Sequence, residues 1–157
     1  MTVTASSTQI LGETLARLGA EREDVVLCVA DCLKTMSVHP FGARFPERTF
    51  NFGIAEQNMV MSAAGFASTG KTPFAISYGV FLSMRTLEQI RTFICYPHLN
   101  VKLVAGLGGY AAGVNGPTHA ATEDISVMRS IPGLAVVVPS DGLSVEKAIL
   151  AAADYPG

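Results

Sequence analysis

Five short apolar runs separated by helix-like segments constrain this chain more than any other feature of its sequence. Most of the runs are rich in Val, Leu, Ile or Ala without polar alternation, which is typical of strands covered on both faces. Strands and helices therefore alternate along the chain. This order predicts an α/β fold of three αβα layers with a mostly parallel sheet. The predicted strands are residues 25–30, 48–51, 74–77, 101–105 and 134–138.

The predicted helices and loops fill the intervals between the strands. Ser6 or Ser7 can cap a first helix, which Gly19 is expected to end. Residues 35–47 are predicted to form a long loop, and residues 106–117 form a glycine-rich one. Further helices are predicted at residues 54–68, 80–95 and 122–130, and from Asp141 or Ser144 to about residue 153.

The composition limits the possible partners of the chain. The 157 residues are 49% hydrophobic and only 15% charged, with a net charge of -2. So few charges predict large surfaces buried against other chains. The net charge argues against nucleic acid as a main partner, and no apolar run is long enough to span a bilayer. Residues 1–7 lack the pattern of a signal peptide, so a cytoplasmic location is expected.

The three cysteines, Cys28, Cys32 and Cys95, lie in apolar contexts. We therefore expect buried thiols rather than disulfides. The spacing of Cys28 and Cys32 lacks the further ligands that a zinc site needs, and no metal-ligating residues are predicted.

Glu56 stands out in the sequence FGIAEQ at residues 52–57. The chain turns through Gly53 and places the carboxylate in the first turn of a predicted helix. Taken alone, such an acid more often only complements the helix dipole. A catalytic role needs a partner that shares the proton of this carboxyl group.

Other candidate side chains fall at the carboxyl ends of predicted strands, where ligands of open parallel sheets bind. Tyr78 and Phe81 are three residues apart at a helix start and lie on one side. They form either a stripe that covers the sheet or an aromatic face for a planar ligand. His119 follows the residues Asn-Gly-Pro-Thr, whose turn formers hold it rigidly, although a lone loop histidine is more often a surface residue.

The glycine-rich sequence GLGGYA at residues 106–111 matches the pattern G-x-G-x-x-A. A nucleotide fingerprint also needs a helix that opens at this point. Gly113, Gly116 and Pro117 forbid that helix, so a simple nucleotide-binding module is disfavoured.

Taken together, these segments resemble the pyrimidine-binding domain of the transketolase and 1-deoxyxylulose-5-phosphate synthase family. The glutamate motif of the family is similar to residues 52–57, and its histidine loop to residues 116–119. Its closing segment is similar to residues 128–133 and 138–141. The separate C-terminal subunit of split transketolases is the most similar type. The resemblance implies one domain of the thiamine-diphosphate-binding fold over residues 1–157, truncated before its last strand and before the family's C-terminal domain.

The resemblance also implies which residues contact the cofactor. Glu56 would bind the pyrimidine ring nitrogen of thiamine diphosphate and so activate the cofactor. Phe81 would stack on the pyrimidine, with Tyr78 on the same wall, and Asp31 would lie near it at the end of the first strand.

On the substrate side, the resemblance makes His119 a second catalytic residue that touches the sugar next to the reacting ring. Asn115 would also face the substrate. It replaces the acid usual in the family four residues before the histidine, and Val114 replaces another.

The implied function is that of a half-site. The family holds the diphosphate and Mg²⁺ through a Gly-Asp-Gly motif, which this sequence lacks. A homodimer mate and/or a separate diphosphate-binding subunit would supply it, and the chain would be inactive alone. The expected reaction is transketolase transfer of a two-carbon ketol unit between sugar phosphates. Alternatives are a 1-deoxyxylulose-5-phosphate synthase, an oxo-acid dehydrogenase beta-like chain, or a non-catalytic assembly subunit.

Overall fold

A four-stranded parallel sheet in the order β2-β1-β3-β4 forms the centre of the computed structural model. The structure describes residues 5–157; residues 1–4, which the domain range and the signal-peptide expectation include, lie outside it. The α/β class predicted from the sequence is confirmed, and four of the five predicted strands form. These strands are β1 (Val25–Val29), β2 (Thr49–Asn51), β3 (Thr72–Tyr78) and β4 (Lys102–Gly106).

Helices occupy most of the connections between these strands. The Ser6 side chain caps the first helix and Asp141 caps the last, which are residues that the sequence offers for these positions. Each cap forms a capping box with the residue three positions later. The glycine-rich loop, in which the sequence excludes an α-helix, contains two 3-10 turns. The helices are α1 (Ser7–Glu21), α2 (His39–Arg44), α3 (Glu56–Ser68), α4 (Gly79–Met84), α5 (Leu87–Gln89) with a π turn (Ile90–Cys95), α6 (Asp124–Arg129) and α7 (Gly142–Asp154).

Two hydrophobic clusters cover the two faces of the sheet, which gives the three predicted layers. Alternate residues of β1 point to opposite faces: Leu27 joins the cluster formed with α1, α2 and α7, and Cys28 joins the cluster formed with α3 and the π turn. All five residues of β1 are buried. The polar site described below lies at the carboxyl end of this doubly covered sheet.

The first helix does not end at Gly19, contrary to the sequence prediction, but continues to Glu21. A Cβ at Gly19 would lie 2.4 Å from a ring carbon of Phe41 on α2. This glycine therefore allows close helix packing instead of ending the helix. The 35–47 segment, predicted as a loop, contains α2. Pro40 is compatible with this helix because it falls in the first turn, where proline needs no hydrogen-bond donor.

Two further predictions were wrong. The helix predicted over residues 80–95 is interrupted: α4 ends at Met84, and a new helical segment begins at Leu87. Residues 134–138 form no strand, and the Val137 side chain is 71% exposed. Their β-branched residues favour an extended backbone, but a strand also needs a neighbouring backbone to pair with.

Across residues 5–157, no helix is long and apolar enough to cross a membrane.

Candidate functional site

The site begins where β3 passes directly into α4. Tyr78 is the last residue of β3, and Phe81 lies in the first turn of α4. The abrupt change from strand to helix directs both rings to the carboxyl edge of the sheet. Their ring centroids are 5.8 Å apart. Gly79 permits this junction, since a Cβ there would lie 3.1 Å from the Asp124 carboxylate and 3.4 Å from the Gly106 carbonyl.

The histidine loop contacts both aromatic rings. His119 ends the 3-10 turn Pro117–His119. The centroid of its ring lies 4.9 Å from that of Phe81 and 5.3 Å from that of Tyr78, and each pair is T-shaped. The Thr118 hydroxyl lies 3.0 Å from His119 Nδ1. The structure thus brings together three of the side chains that the sequence singled out.

Glu56 is the first residue of α3, and only 3% of it is exposed. The predicted helix start at residue 54 is therefore two residues early, although Glu56 does lie in the first turn. Ser77 Oγ donates to Glu56 Oε1 at 3.2 Å, and Arg85 Nη1 donates to Glu56 Oε2 at 3.0 Å. Both oxygens of this buried carboxylate have a partner, as burial of a charge requires.

Arg85 links this carboxylate to the aromatic group. The guanidinium carbon of Arg85 lies 3.9 Å from the centroid of the Phe81 ring, which is stacking distance for a cation on an aromatic face. One side chain therefore touches both Glu56 and Phe81. The Gln57 amide donates to the Arg85 carbonyl at 2.9 Å, so α3 also holds the backbone at the break after α4.

The turn before Glu56 is held by Asn51 at the end of β2. Asn51 Oδ1 accepts hydrogen bonds from the backbone N–H groups of Gly53 at 3.1 Å and Asp31 at 3.0 Å. Gly53 has a φ of 67°, which favours glycine. These bonds tie the end of β1 to the loop that carries Glu56.

Two predicted residues stand apart from the cluster. Asp31 is exposed beyond β1, with a φ of 53°, and is linked to the Glu56 loop by the hydrogen bond from its backbone N–H to Asn51. Asn115 is exposed in the 3-10 turn Gly113–Asn115, next to the fully exposed Val114. Their proposed contacts with cofactor and substrate stay predictions.

A cleft of about 510 Å³ opens beside Glu56 and Arg85. A second cleft of about 290 Å³ lies along the histidine loop and is lined by Tyr110, Pro117 and Ala120 among others. The first cleft is thus formed by the Glu56 segment and Arg85, and the second by the loop that carries His119.

Burial suppresses the acidity of the thiols nearest the site. It raises the pKa of Cys28 to about 12 and that of Cys32 to about 11, and the charges of Glu56 and Asp31 act on Cys32 in the same direction. All three cysteines are buried free thiols, which confirms the sequence prediction. Cys28 and Cys32 are therefore not nucleophiles at neutral pH.

Sequence reasoning assigned no site role to Ser77, Arg85 or Asn51. Ser77 is a polar residue in an otherwise apolar strand, directly before Tyr78, and this could have signalled a buried polar partner. Arg85 follows Phe81 by four residues, which is the spacing of neighbours on a helix. The role of Asn51 depends on how β1 and β2 pair, so no local signal reveals it.

The parallel αβα fold, with polar and aromatic side chains gathered at the strand ends, defines a ligand-binding α/β domain. Residues 4–157 match the family described as the pyrimidine-binding domain of transketolase. The chain belongs to this family, which confirms the resemblance drawn from the glutamate and histidine motifs.

Two known proteins are similar to nearly the whole of this chain. A putative transketolase C-terminal section from Methanocaldococcus jannaschii is 44% identical over 146 residues, which are 93% of this chain and 46% of that protein. The 1-deoxy-D-xylulose-5-phosphate synthase of Desulfotalea psychrophila is 35% identical and covers 98% of this chain, but only 23% of the synthase is matched. The chain therefore spans less than half the length of these relatives.

A solved structure shows the same fold. A split-gene transketolase, described as an inactive beta4 tetramer, superposes with a TM-score of 0.85 at 40% identity. The match covers 97% of this chain and 49% of that one.

Proposed function

We propose that this chain supplies the pyrimidine-binding half of a thiamine-diphosphate site in a transketolase. The reaction would transfer a two-carbon ketol unit between sugar phosphates. The observation that carries the proposal is the buried Glu56 carboxylate, joined through Arg85 to the aromatic face of Phe81.

The chemistry of these residues fits an aminopyrimidine. Such a ring is planar and apolar on its faces, and its edge carries nitrogen atoms that form hydrogen bonds. Phe81 and Tyr78 offer aromatic surface, and Glu56 offers a carboxyl group that is shielded from water. When bound, thiamine diphosphate supplies the electron sink for cleavage of a carbon–carbon bond.

The chain's own residues would then divide the work. The Glu56 carboxyl group would share a proton with the ring nitrogen, an exchange that exclusion of water favours. Phe81 would orient the ring by stacking, and Tyr78 would complete the wall. Asp31, which follows β1 at the carboxyl edge of the sheet, would lie near the ring.

His119 would work on the substrate side. Its ring packs on Tyr78 and Phe81, so it is fixed close to the place proposed for the pyrimidine. An imidazole there can donate to or accept from a sugar hydroxyl. Asn115 would add an amide to the same side, where it can form hydrogen bonds but cannot serve as a base.

The half-site proposal is supported by the apolar rim of the clefts. Ile54, which lines the larger cleft, is 76% exposed, and Tyr110, which lines the smaller one, is 80% exposed. Apolar side chains so exposed at the edge of a site suit a covering chain. That chain would be a homodimer mate and/or a separate subunit that binds the diphosphate and Mg²⁺. The split-gene relative was solved as an inactive beta4 tetramer, which agrees with a requirement for a further subunit.

Calorimetry tests the half-site directly. Thiamine diphosphate with Mg²⁺ is titrated into the purified chain, and then into the chain mixed with a diphosphate-binding subunit. We expect tight binding only in the mixture. Tight binding by the chain alone would show that it holds a whole site.

The similarity to a synthase supports a second candidate, 1-deoxyxylulose-5-phosphate synthase. An oxo-acid dehydrogenase beta-like chain and a non-catalytic assembly subunit stay open as predictions, the latter because Asn115 stands where an acid is usual. Assays of the assembled complex with ketose donors and with pyruvate separate the transketolase from the two enzymes that use an oxo acid. Sugar-phosphate products from a ketose donor indicate a transketolase, and turnover of pyruvate indicates one of the other two enzymes.

A further inference from the structure

We infer that Arg85 is a positioning residue for the proposed cofactor site, and this inference rests on the proposed function. Its guanidinium holds the acid and the stacking ring in a fixed relation, so that both meet the same pyrimidine.

The contacts of Arg85 differ from those of an ordinary surface ion pair. Exposed pairs contribute little, because water screens both charges. Here the Arg85 side chain is 46% exposed, but that of its partner Glu56 is only 4% exposed. A carboxylate buried to this extent depends on its counter-charge, and removing one member of such a pair leaves an uncompensated charge.

The same guanidinium also stacks on Phe81, with 3.9 Å from its carbon to the ring centroid. Its planar group can lie flat on a ring while its N–H groups donate in its own plane, which a lysine ammonium cannot do. The two contacts together connect the Glu56 carboxylate to the Phe81 ring through a single side chain.

The backbone of Arg85 is held as well. Arg85 lies at the break between α4 and α5, where helix-end carbonyls lack a partner within the helix. The Gln57 side chain donates to its carbonyl at 2.9 Å. The side chain and the main chain of Arg85 are thus both attached to adjacent residues of α3, which makes the arginine a rigid link between the two helices.

An alternative is that Arg85 occupies the pyrimidine place and leaves when the cofactor binds. The two readings predict opposite changes in affinity. Removing a positioning residue weakens cofactor binding, whereas removing an occupant of the site strengthens it.

The experiment uses the complex of this chain with its diphosphate-binding subunit, and thiamine diphosphate with Mg²⁺ as the probe. We expect Arg85→Met, which keeps the length of the side chain without its charge, to raise the Kd of the cofactor about tenfold. Arg85→Lys should restore part of the affinity. Arg91→Met, at an exposed arginine in the π turn that follows α5, is the matched control and should leave the Kd unchanged.

A double-mutant cycle on the chain alone provides a second readout. Glu56→Gln should lower the Tm by several degrees less in the Arg85→Met background than in the wild type, because the two residues are partners. Additive Tm changes would overturn the inference. So would an unchanged or lower cofactor Kd for Arg85→Met in a complex whose wild type binds normally. A wild-type complex that binds no cofactor would instead refute the proposed function.

Discussion

The side-chain amide of Gln57 donates a hydrogen bond to the main-chain carbonyl of Arg85 over 2.9 Å. This bond joins the residue after Glu56 on α3 to the break between α4 and α5. Two consecutive residues of the motif at 52–57 therefore have different tasks. Glu56 contacts the side chain of Arg85, and Gln57 contacts its backbone.

Replacing Gln57 by Leu should loosen this break. The lost hydrogen bond is worth about 0.5–1.5 kcal/mol, because the Arg85 carbonyl keeps access to water. We expect the Tm of the chain to fall by roughly 2–4 °C and the cofactor affinity of the complex to fall several-fold. Calorimetric melting and titration measure the two effects. A lower Tm with unchanged affinity would mean that Gln57 only stabilises the fold.

Glu56→Gln in the assembled complex tests the proton-transfer role. The amide has nearly the shape of the carboxylate and can still accept from Ser77 or Arg85 through its oxygen, but it cannot share a proton. We expect the rate of ketol transfer to fall at least ~100-fold.

The matched control for this prediction is Glu88→Gln, at an exposed acid on α5. It should leave the rate unchanged. Retention of most activity by Glu56→Gln, measured with saturating cofactor, would remove Glu56 from the mechanism.

The sequence predicted the architecture because apolar runs report burial directly. The buried runs around Val26 and Ile76 identify strands covered on both faces, whatever their neighbours. The 134–138 run has the same composition but forms no ladder, since pairing depends on a partner far away in the chain. The prediction that Gly19 ends the first helix was wrong for a similar reason. Its role is set by the Phe41 ring across the helix interface, which no local pattern encodes.

The site was predictable to the extent that its residues carry local signals. Tyr78, Phe81 and His119 fall at strand ends and turn formers, and the structure brings their rings together. The partners of Glu56 come from β3 and from a helix break and are 21 and 29 residues away in the sequence. Only the folded topology reveals that Ser77 and Arg85 meet this carboxylate.

Asp24, at the amino end of the sheet just before β1, should make the stability of the chain depend on pH. Two hydrogen bonds from Arg22, at 2.6 and 3.1 Å, together with one from Thr72 at 2.7 Å, lower the pKa of Asp24 to about 2. The pKa of an unfolded Asp is about 3.9. The stabilisation is therefore fully present above about pH 5 and is lost as the pH falls toward 2.

The variant Asp24→Asn removes this contribution. Its Tm should lie below that of the wild type at pH 7, and the difference should shrink as the pH falls from about 5 to 2. Glu13→Gln, at an exposed acid on α1, is the control and should follow the wild-type curve. A difference between Asp24→Asn and the wild type that stays constant over this range would contradict the proposed ion pair.

Two glycines should respond in opposite directions to the same substitution. A Cβ at Gly12 on α1 would lie 1.9 Å from the Ser37 carbonyl oxygen, and this backbone atom cannot move aside without shifting the turn after β1. Gly12→Ala should therefore lower the free energy of unfolding by about 1–3 kcal/mol.

At Gly65, inside α3, a Cβ meets nothing within 4 Å. Gly65→Ala should stabilise the chain by about 0.5–1 kcal/mol, because alanine loses less backbone entropy in a helix. Denaturant melts of the two variants of the chain alone provide the comparison. Equal effects of the two substitutions would mean that α1 does not approach Ser37 as closely as the structure shows.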